Sequence, residues 1–276
     1  MSFKTLGFKK TENAPAYVRH FGLTAYEYQG GHGVRLNPAT GAVLAEGFTE
    51  AGVAPSIHAP YYISLASPEA EKRENSLDYL LQAARAVDIL GGSRVIFHCG
   101  GAGSQPRAAA FAQAAGMLER ARALLDAGGL AHIHLCPETM GRKTQLGSLD
   151  EVLVLCKQDP RHLPCVDFGH LNAVTGGTLR TRADYAAVAE AIAGALDDER
   201  AKTFHVHFSK IEYTAAGEKR HLTFEDDRFG PPFEPFLEAV ADLKLAPTVI
   251  CESAGTQAED AQAMMEYYQS YIGDEK

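Results

Sequence analysis

Three consecutive stretches decide the fold: RVIFHCGG (94–101), PRAAAFAQAAGMLERARALLDA (106–127) and HIHLCPE (132–138). The first is a β-type run halted by Gly100 and Gly101. The second is Ala-rich, opens on Pro106 and reads as a helix. The third is β-type again and ends at Glu138. Apolar strands alternating with helices imply a parallel sheet covered by helices.

The same alternation extends both ways. Toward the N-terminus, Pro55–Ala59 reads as a strand ending in His58. A helix bracketed by Pro68 and Gly91 follows it, with Leu77, Leu80, Leu81, Ala84, Val87 and Leu90 on one face. Before these, Thr24–Tyr28 is a strand running into Gly30, Gly31 and Gly33, and Leu44–Ala51 a helix. Lys4–Phe8 is a short first strand, and Ala14–Phe21 a short helix stopped by Gly22. Toward the C-terminus come helix Leu149–Lys157, strand Pro164–Phe168 and helix Arg182–Leu196. Strand Thr203–Phe208 then leads into a longer loop, followed by helix Phe233–Leu243, strand Thr248–Glu252 and helix Gln257–Tyr271.

Eight strand–helix units in about 250 residues match a closed (β/α)8 TIM barrel, read as one domain over 1–276. A doubly wound open sheet is the alternative that periodicity leaves open. No GxGxxG opens a helix, there is no GxxxxGK[ST], and Gly30-Gly-His-Gly33 is too loose for a nucleotide loop.

Composition narrows the function. The 276 residues are 46% hydrophobic and 22% charged, with a net charge of -9 that gives no global pull toward nucleic acid. Five cysteines without CxxC spacing argue against a disulfide framework or zinc ribbon and suit a reducing compartment. Met1–Thr11 lacks the apolar core of a signal peptide, and no run reaches the roughly 18 apolar residues of a membrane span. The expectation is a cytoplasmic monomer without membrane contact.

Eleven histidines are the unusual number. His58, His98, Glu138, Asp167 with His170, His205 or His207, and Glu252 fall at or just past the ends of strands three to eight. In a barrel those ends share the rim where active sites lie. Imidazoles and carboxylates are ligands of zinc, manganese and iron, and packed carboxylates repel unless a cation neutralises them. Each residue alone has a bland reading: Asp167 could cap a helical turn at Phe168–Leu171, for instance. Six successive strand ends make the metal site the better reading. His132 and His134, at the start of their strand, suit structural roles near the opposite rim. His20 and His162 fall in helix or loop text, and His32 could touch substrate. His205 and His207 share one strand face, so only one need be a ligand.

These residues resemble endonuclease IV, the apurinic/apyrimidinic endonuclease family of the xylose-isomerase-like barrels. The resemblance is carried by His58-Ala-Pro-Tyr61, Phe97-His98-Cys-Gly100, Pro137-Glu138-Thr-Met-Gly141 with Gln145-Leu-Gly147, Val166-Asp167-Phe-Gly-His170, His205-Val-His-Phe-Ser-Lys210 and Ile250-Cys-Glu252. It implies two or three zinc ions, with manganese as the alternative metal. His58 and His98 would hold the first and Glu138 bridge it to a second. Asp167, His205 and Glu252 would complete the second, and His170 and His221 belong to a third. The family closes its third site with an Asp-x-His pair. Here the text is Glu218-Lys-Arg-His221, which puts Lys219 in the Asp position unless the loop shifts by one and brings in Glu218. The implied reaction is phosphodiester hydrolysis 5′ to an abasic site in DNA, with Glu138 and Glu252 as catalytic groups, Tyr61 near the flipped nucleotide and Arg35 on phosphate. The family's minor-groove wedge and first-strand His motif are not recognisable. Two other readings stay open. A single-metal sugar isomerase or epimerase would use Glu138, Asp167, one strand-seven His and Glu252. A barrel could also keep the metals and bind a ligand without cutting DNA.

Overall fold

The computed structural model describes Phe8 and residues 10–274. Seven parallel strands follow one another in chain order: β1 (Ala25–Gln29), β2 (Ala54–His58), β3 (Arg94–Phe97), β4 (His134–Pro137), β5 (Cys165–Asp167), β6 (His205–Phe208) and β9 (Thr248–Cys251). Parallel bridges Leu135–His162 and Glu138–Cys165 join β4 to β5, so the two ladders form one continuous wall. The expected first strand, Lys4–Phe8, lies outside the described residues except for Phe8, which is in no regular element. The fold is the single-domain TIM barrel expected from the alternation.

Helices α1 (Ala14–His20), α2 (Pro38–Ala51), α3 (Ala70–Ile89), α4 (Arg107–Ala127), α5 (Leu149–Lys157), α6 (Phe168–Val174), α7 (Arg182–Ala195), α8 (Arg200–Thr203), α9 (Glu234–Asp242) and α10 (Gln257–Asp274) cover the wall. Local chemistry sets their ends. Ser148 and Glu151 form a reciprocal capping box at the start of α5. α2 begins six residues before the expected Leu44, because Asn37 accepts from Ala39 N at 2.8 Å and Pro38 occupies the first turn. The text between 208 and 222, expected as a loop, holds an antiparallel hairpin, β7 (Ile211–Thr214) and β8 (Gly217–His221).

Outward strand residues build the core. Ile57, Val95, Phe97 and Leu135 pack on Leu77, Leu80, Ala84, Val87, Ala114 and Leu118 of α3 and α4. Val166, Val206 and Phe208 pack on Tyr185, Ile192, Phe236 and Leu237. Because strand side chains alternate, committing these residues outward forces their neighbours into the barrel.

Candidate metal centre

The inward set is polar at the C-terminal ends of the strands. Ile96, Cys136, Leu163 and Cys165 form a small apolar plug inside the barrel. One alternation further along the strands stand His98, Glu138 and Asp167. In β6, Val206 and Phe208 face the helices, so His205 and His207 face inward.

Glu138 is fully buried and stands at the centre. Its Oε2 lies 3.2 Å from His58 Nε2 and 3.0 Å from His98 Nε2. Its Oε1 lies 3.3 Å from both His207 Nδ1 and His170 Nδ1. His207 Nδ1 is 3.5 Å from Glu252 Oε2. Asp167 divides its oxygens: Oδ1 accepts from His170 N at 2.7 Å and caps α6, while Oδ2 lies 3.3 Å from His170 Nδ1. Cap and site residue are one residue here.

Three groups of donor atoms result, each within 4.8 Å of one another: His58, His98 and Glu138; Glu138, Asp167, His207 and Glu252; and His170, Glu218 and His221. A further buried group, Cys165, His205 and His207, lies deeper.

Electrostatics fit the first three groups to cations. Glu138 Oε1, Asp167 Oδ2 and His207 Nδ1 are buried and have no hydrogen-bond partner, although an orphaned buried charge is costly. Burial pushes the Asp167 carboxyl up to about 7, with Glu252 and Glu138 adding to the push against His170. Burial also works against charge on Glu138, yet His98 and His207 hold it well below the ordinary carboxylate range. His170 rises to about 10 despite burial, drawn up by Asp167 and Glu138. A divalent ion among these oxygens would relieve the carboxylate repulsion and use the orphaned atoms.

The third group depends on an irregularity. Ile211 pairs with His221 and Glu212 with Arg220, but Tyr213 pairs with Glu218, leaving Lys219 as an extra residue in β8. Strict alternation would put Lys219 on the face of His221. The bulge substitutes Glu218. Lys219 and Arg220 both turn to Glu212, at 2.5 and 2.7 Å. Glu218 Oε2 reaches His170 Nε2 at 3.4 Å, and its Oε1 lies 3.9 Å from His221 Nε2. Gly141 makes room, since a Cβ there would lie 2.7 Å from both Glu218 Cβ and His170 Cδ2.

The residues alone leave His205 and His207 open, and the resemblance puts His205 beside Asp167 and Glu252; the geometry puts His207 there instead. The strand register pairs His205 with Cys165 and His207 with Asp167, so His207 stands at rim level and His205 one layer deeper. His205 Nε2 is 3.1 Å from Glu27 Oε2. Glu27 escaped the sequence reading, although a lone acid between the outward Tyr26 and Tyr28 in β1 is the pattern of a buried inward carboxylate.

Tyr61 is half-exposed at the mouth, its ring stacked on His98 at 5.6 Å between centroids and backed by Gly31. Arg35 is exposed in the loop after β1. The bland histidines stay apart: His132 pairs with Asp88 at 2.8 Å, His134 contacts Arg161 O, and His162 contacts Leu155 O. His32 is exposed near Tyr61. No helix among the described residues is long and apolar enough to cross a membrane.

Comparison with known proteins places this geometry in context. The model of a family described as "Xylose isomerase-like TIM barrel" matches residues 15–271. A relative 34% identical over 213 residues, 77% of this chain and 76% of its own, is the uncharacterized protein MJ0133 of Methanocaldococcus jannaschii. Endonuclease IV from Thermus thermophilus superposes with a TM-score of 0.70 at 19% identity, covering 94% of each chain. A D-tagatose 3-epimerase-like protein superposes with a TM-score of 0.70 at 17% identity, covering 94% of this chain and 93% of its own. Likeness at these identities concerns the fold.

Proposed function

From the premise that this chain belongs to the xylose isomerase-like TIM barrel family, we propose that it is a metal-dependent phosphodiesterase acting on DNA at abasic sites, as its resemblance to endonuclease IV implies. The observation that carries the reading is Glu138. One oxygen faces His58 and His98, and the other faces His207, so a single carboxylate belongs to two donor groups. A further group, His170, Glu218 and His221, adjoins them. A polynuclear centre needs such sharing, and a mononuclear one does not.

Two or three zinc ions, or manganese, would supply the charge that lowers the pKa of a water and offsets the negative charge building on a phosphoryl group. The residues do the rest. Glu138 fixes the spacing of two donor groups. Glu252 faces the same space and orients the attacking water. Tyr61 at the mouth meets the extruded sugar, and Arg35, exposed in the loop after β1, meets its phosphate. A base-free sugar is the easiest to extrude because it gives up no stacking.

A second reading draws on Glu138, Asp167, His207 and Glu252 as a self-sufficient four-residue group. With one divalent ion it would suit a sugar epimerase, two carboxylates exchanging a proton beside a carbonyl. Elemental analysis separates the readings: two or three metals per chain favour hydrolysis, and one favours epimerisation. The direct test is metal-loaded protein on a duplex with one abasic site. Metal-dependent incision 5′ to the site, leaving a 3′-hydroxyl, is expected. No incision at any protein concentration overturns the phosphodiesterase.

A further inference from the structure

Beneath the metal centre lies a polar layer that the proposed reaction does not use. Glu27 is inside the barrel, its side chain only 5% exposed. Its Oε2 receives two contacts, from His205 Nε2 at 3.1 Å and from Ser56 Oγ at 3.1 Å. Glu27 and Ser56 are direct partners in the β1–β2 ladder, so this contact is built into the register. With Oε2 held, Oε1 is left 3.0 Å from His207 Nε2, an ion-pair contact in which Nε2 makes no hydrogen bond of its own until the ring is turned to it. The other nitrogen of the same ring, Nδ1, faces Glu138 and Glu252.

The histidines around the centre differ in what backs them. His58 Nδ1 contacts the carbonyl of Ala59 at 2.8 Å, and His170 Nδ1 contacts that of Thr139 at 2.9 Å. His221 Nδ1 contacts the Ser209 hydroxyl at 2.8 Å. These partners are neutral; the carboxylates that also lie 3.3 Å from His170 Nδ1, Asp167 and Glu138, are themselves members of the donor groups. His207 is backed by a buried carboxylate.

We propose that Glu27 is a positioning residue for the metal centre. It keeps the His207 ring oriented with its Nε2–H toward the carboxylate and its Nδ1 toward Glu138 and Glu252. This rests on the reading that His207 is a metal ligand. A carboxylate behind a ligating imidazole fixes the tautomer and makes the ring a better donor, and loss of such a partner weakens metal binding by about 10–100-fold. His205 and Ser56 serve the same end one step back, by leaving Glu27 a single free oxygen to offer.

The test titrates cobalt and zinc into metal-stripped wild type, Glu27→Gln and Glu27→Ala, reading affinity by competition with a chelator and geometry from the visible spectrum of the cobalt form. Melting of each metal-free protein is followed alongside. Glu27→Ala should weaken binding at the His207-containing group by about 10–100-fold and alter the cobalt bands. Glu27→Gln keeps the volume and an amide oxygen and should lose less. Wild-type affinity and an unchanged spectrum in both variants overturn the inference alone. A wild type that takes up no metal brings down the metal centre and the inference together. Histidine nitrogen resonances of the zinc-loaded wild type need no variant to fold: a proton on His207 Nε2 is expected, and a proton on Nδ1 overturns the assignment.

Discussion

The two ends of the barrel spend their charge differently. At the N-terminal end of the strands most charges are answered. Arg161 bonds Asp126 and Asp159, both at 2.6 Å. Arg200 grips Asp198 and donates to the carbonyls of Cys156, Asp159 and His162. Arg122, nearly buried, donates to Asp126 and to the carbonyls of Ile133 and Leu130. At the C-terminal end, carboxylates and imidazoles crowd together, and Glu138 Oε1, Asp167 Oδ2 and His207 Nδ1 lack hydrogen bonds. Charge that serves stability is matched locally. At the candidate metal centre charge is left over, and the surplus marks the site better than the histidine count does.

That contrast breaks most readily at Glu138. Replacing it with alanine takes a donor from two groups at once, so bound metal should fall by more than one equivalent per chain in elemental analysis. Metal-dependent activity should vanish. Retention of full metal content would separate Glu138 from the centre and leave its surplus charge without a purpose.

The next effect is confined to one group. Glu218→Ala should remove about one metal per chain while leaving the His58–His98 and Asp167–His207–Glu252 groups loaded. Lys219→Ala should remove none, because Lys219 faces Glu212. Equal loss in the two variants would mean that β8 is not bulged as described.

Much of this was readable in advance, and the remainder was hidden for identifiable reasons. Position at successive strand ends placed His58, His98, Glu138, Asp167 and Glu252 on one rim, and in the structure His58, His98, Asp167 and Glu252 each follow an outward apolar residue and so turn inward. Alternation cannot report depth, since His205 and His207 share a face and only the pairing of Asp167 with His207 ranks them. Nor can it foresee a bulge, which is why the spacing Glu218-Lys-Arg-His221 set Lys219 against Glu218 until the hairpin register was known. Glu27 is less legible, because one acid between Tyr26 and Tyr28 fits a strand with a solvent-facing side as well as it fits an inward carboxylate.

The smaller effects sit at the opposite rim, where substitutions should change stability and leave the metals in place. Arg122→Ala strands the buried carbonyls of Leu130 and Ile133 and should cost roughly 2–3 kcal/mol in denaturant unfolding with metal content unchanged. His132→Ala is the limiting case. Its ring pairs with Asp88 across an exposed surface, with His132 55% and Asp88 47% accessible. Both partners are hydrated with or without each other, so the loss should stay within about 0.5 kcal/mol. Metal content and activity should match wild type, because His132 precedes β4 on the side away from Glu138. A drop in metal content on His132→Ala would place a ligand at the wrong end of the strands, and matched charge could then no longer be told from surplus charge by the rim on which it lies.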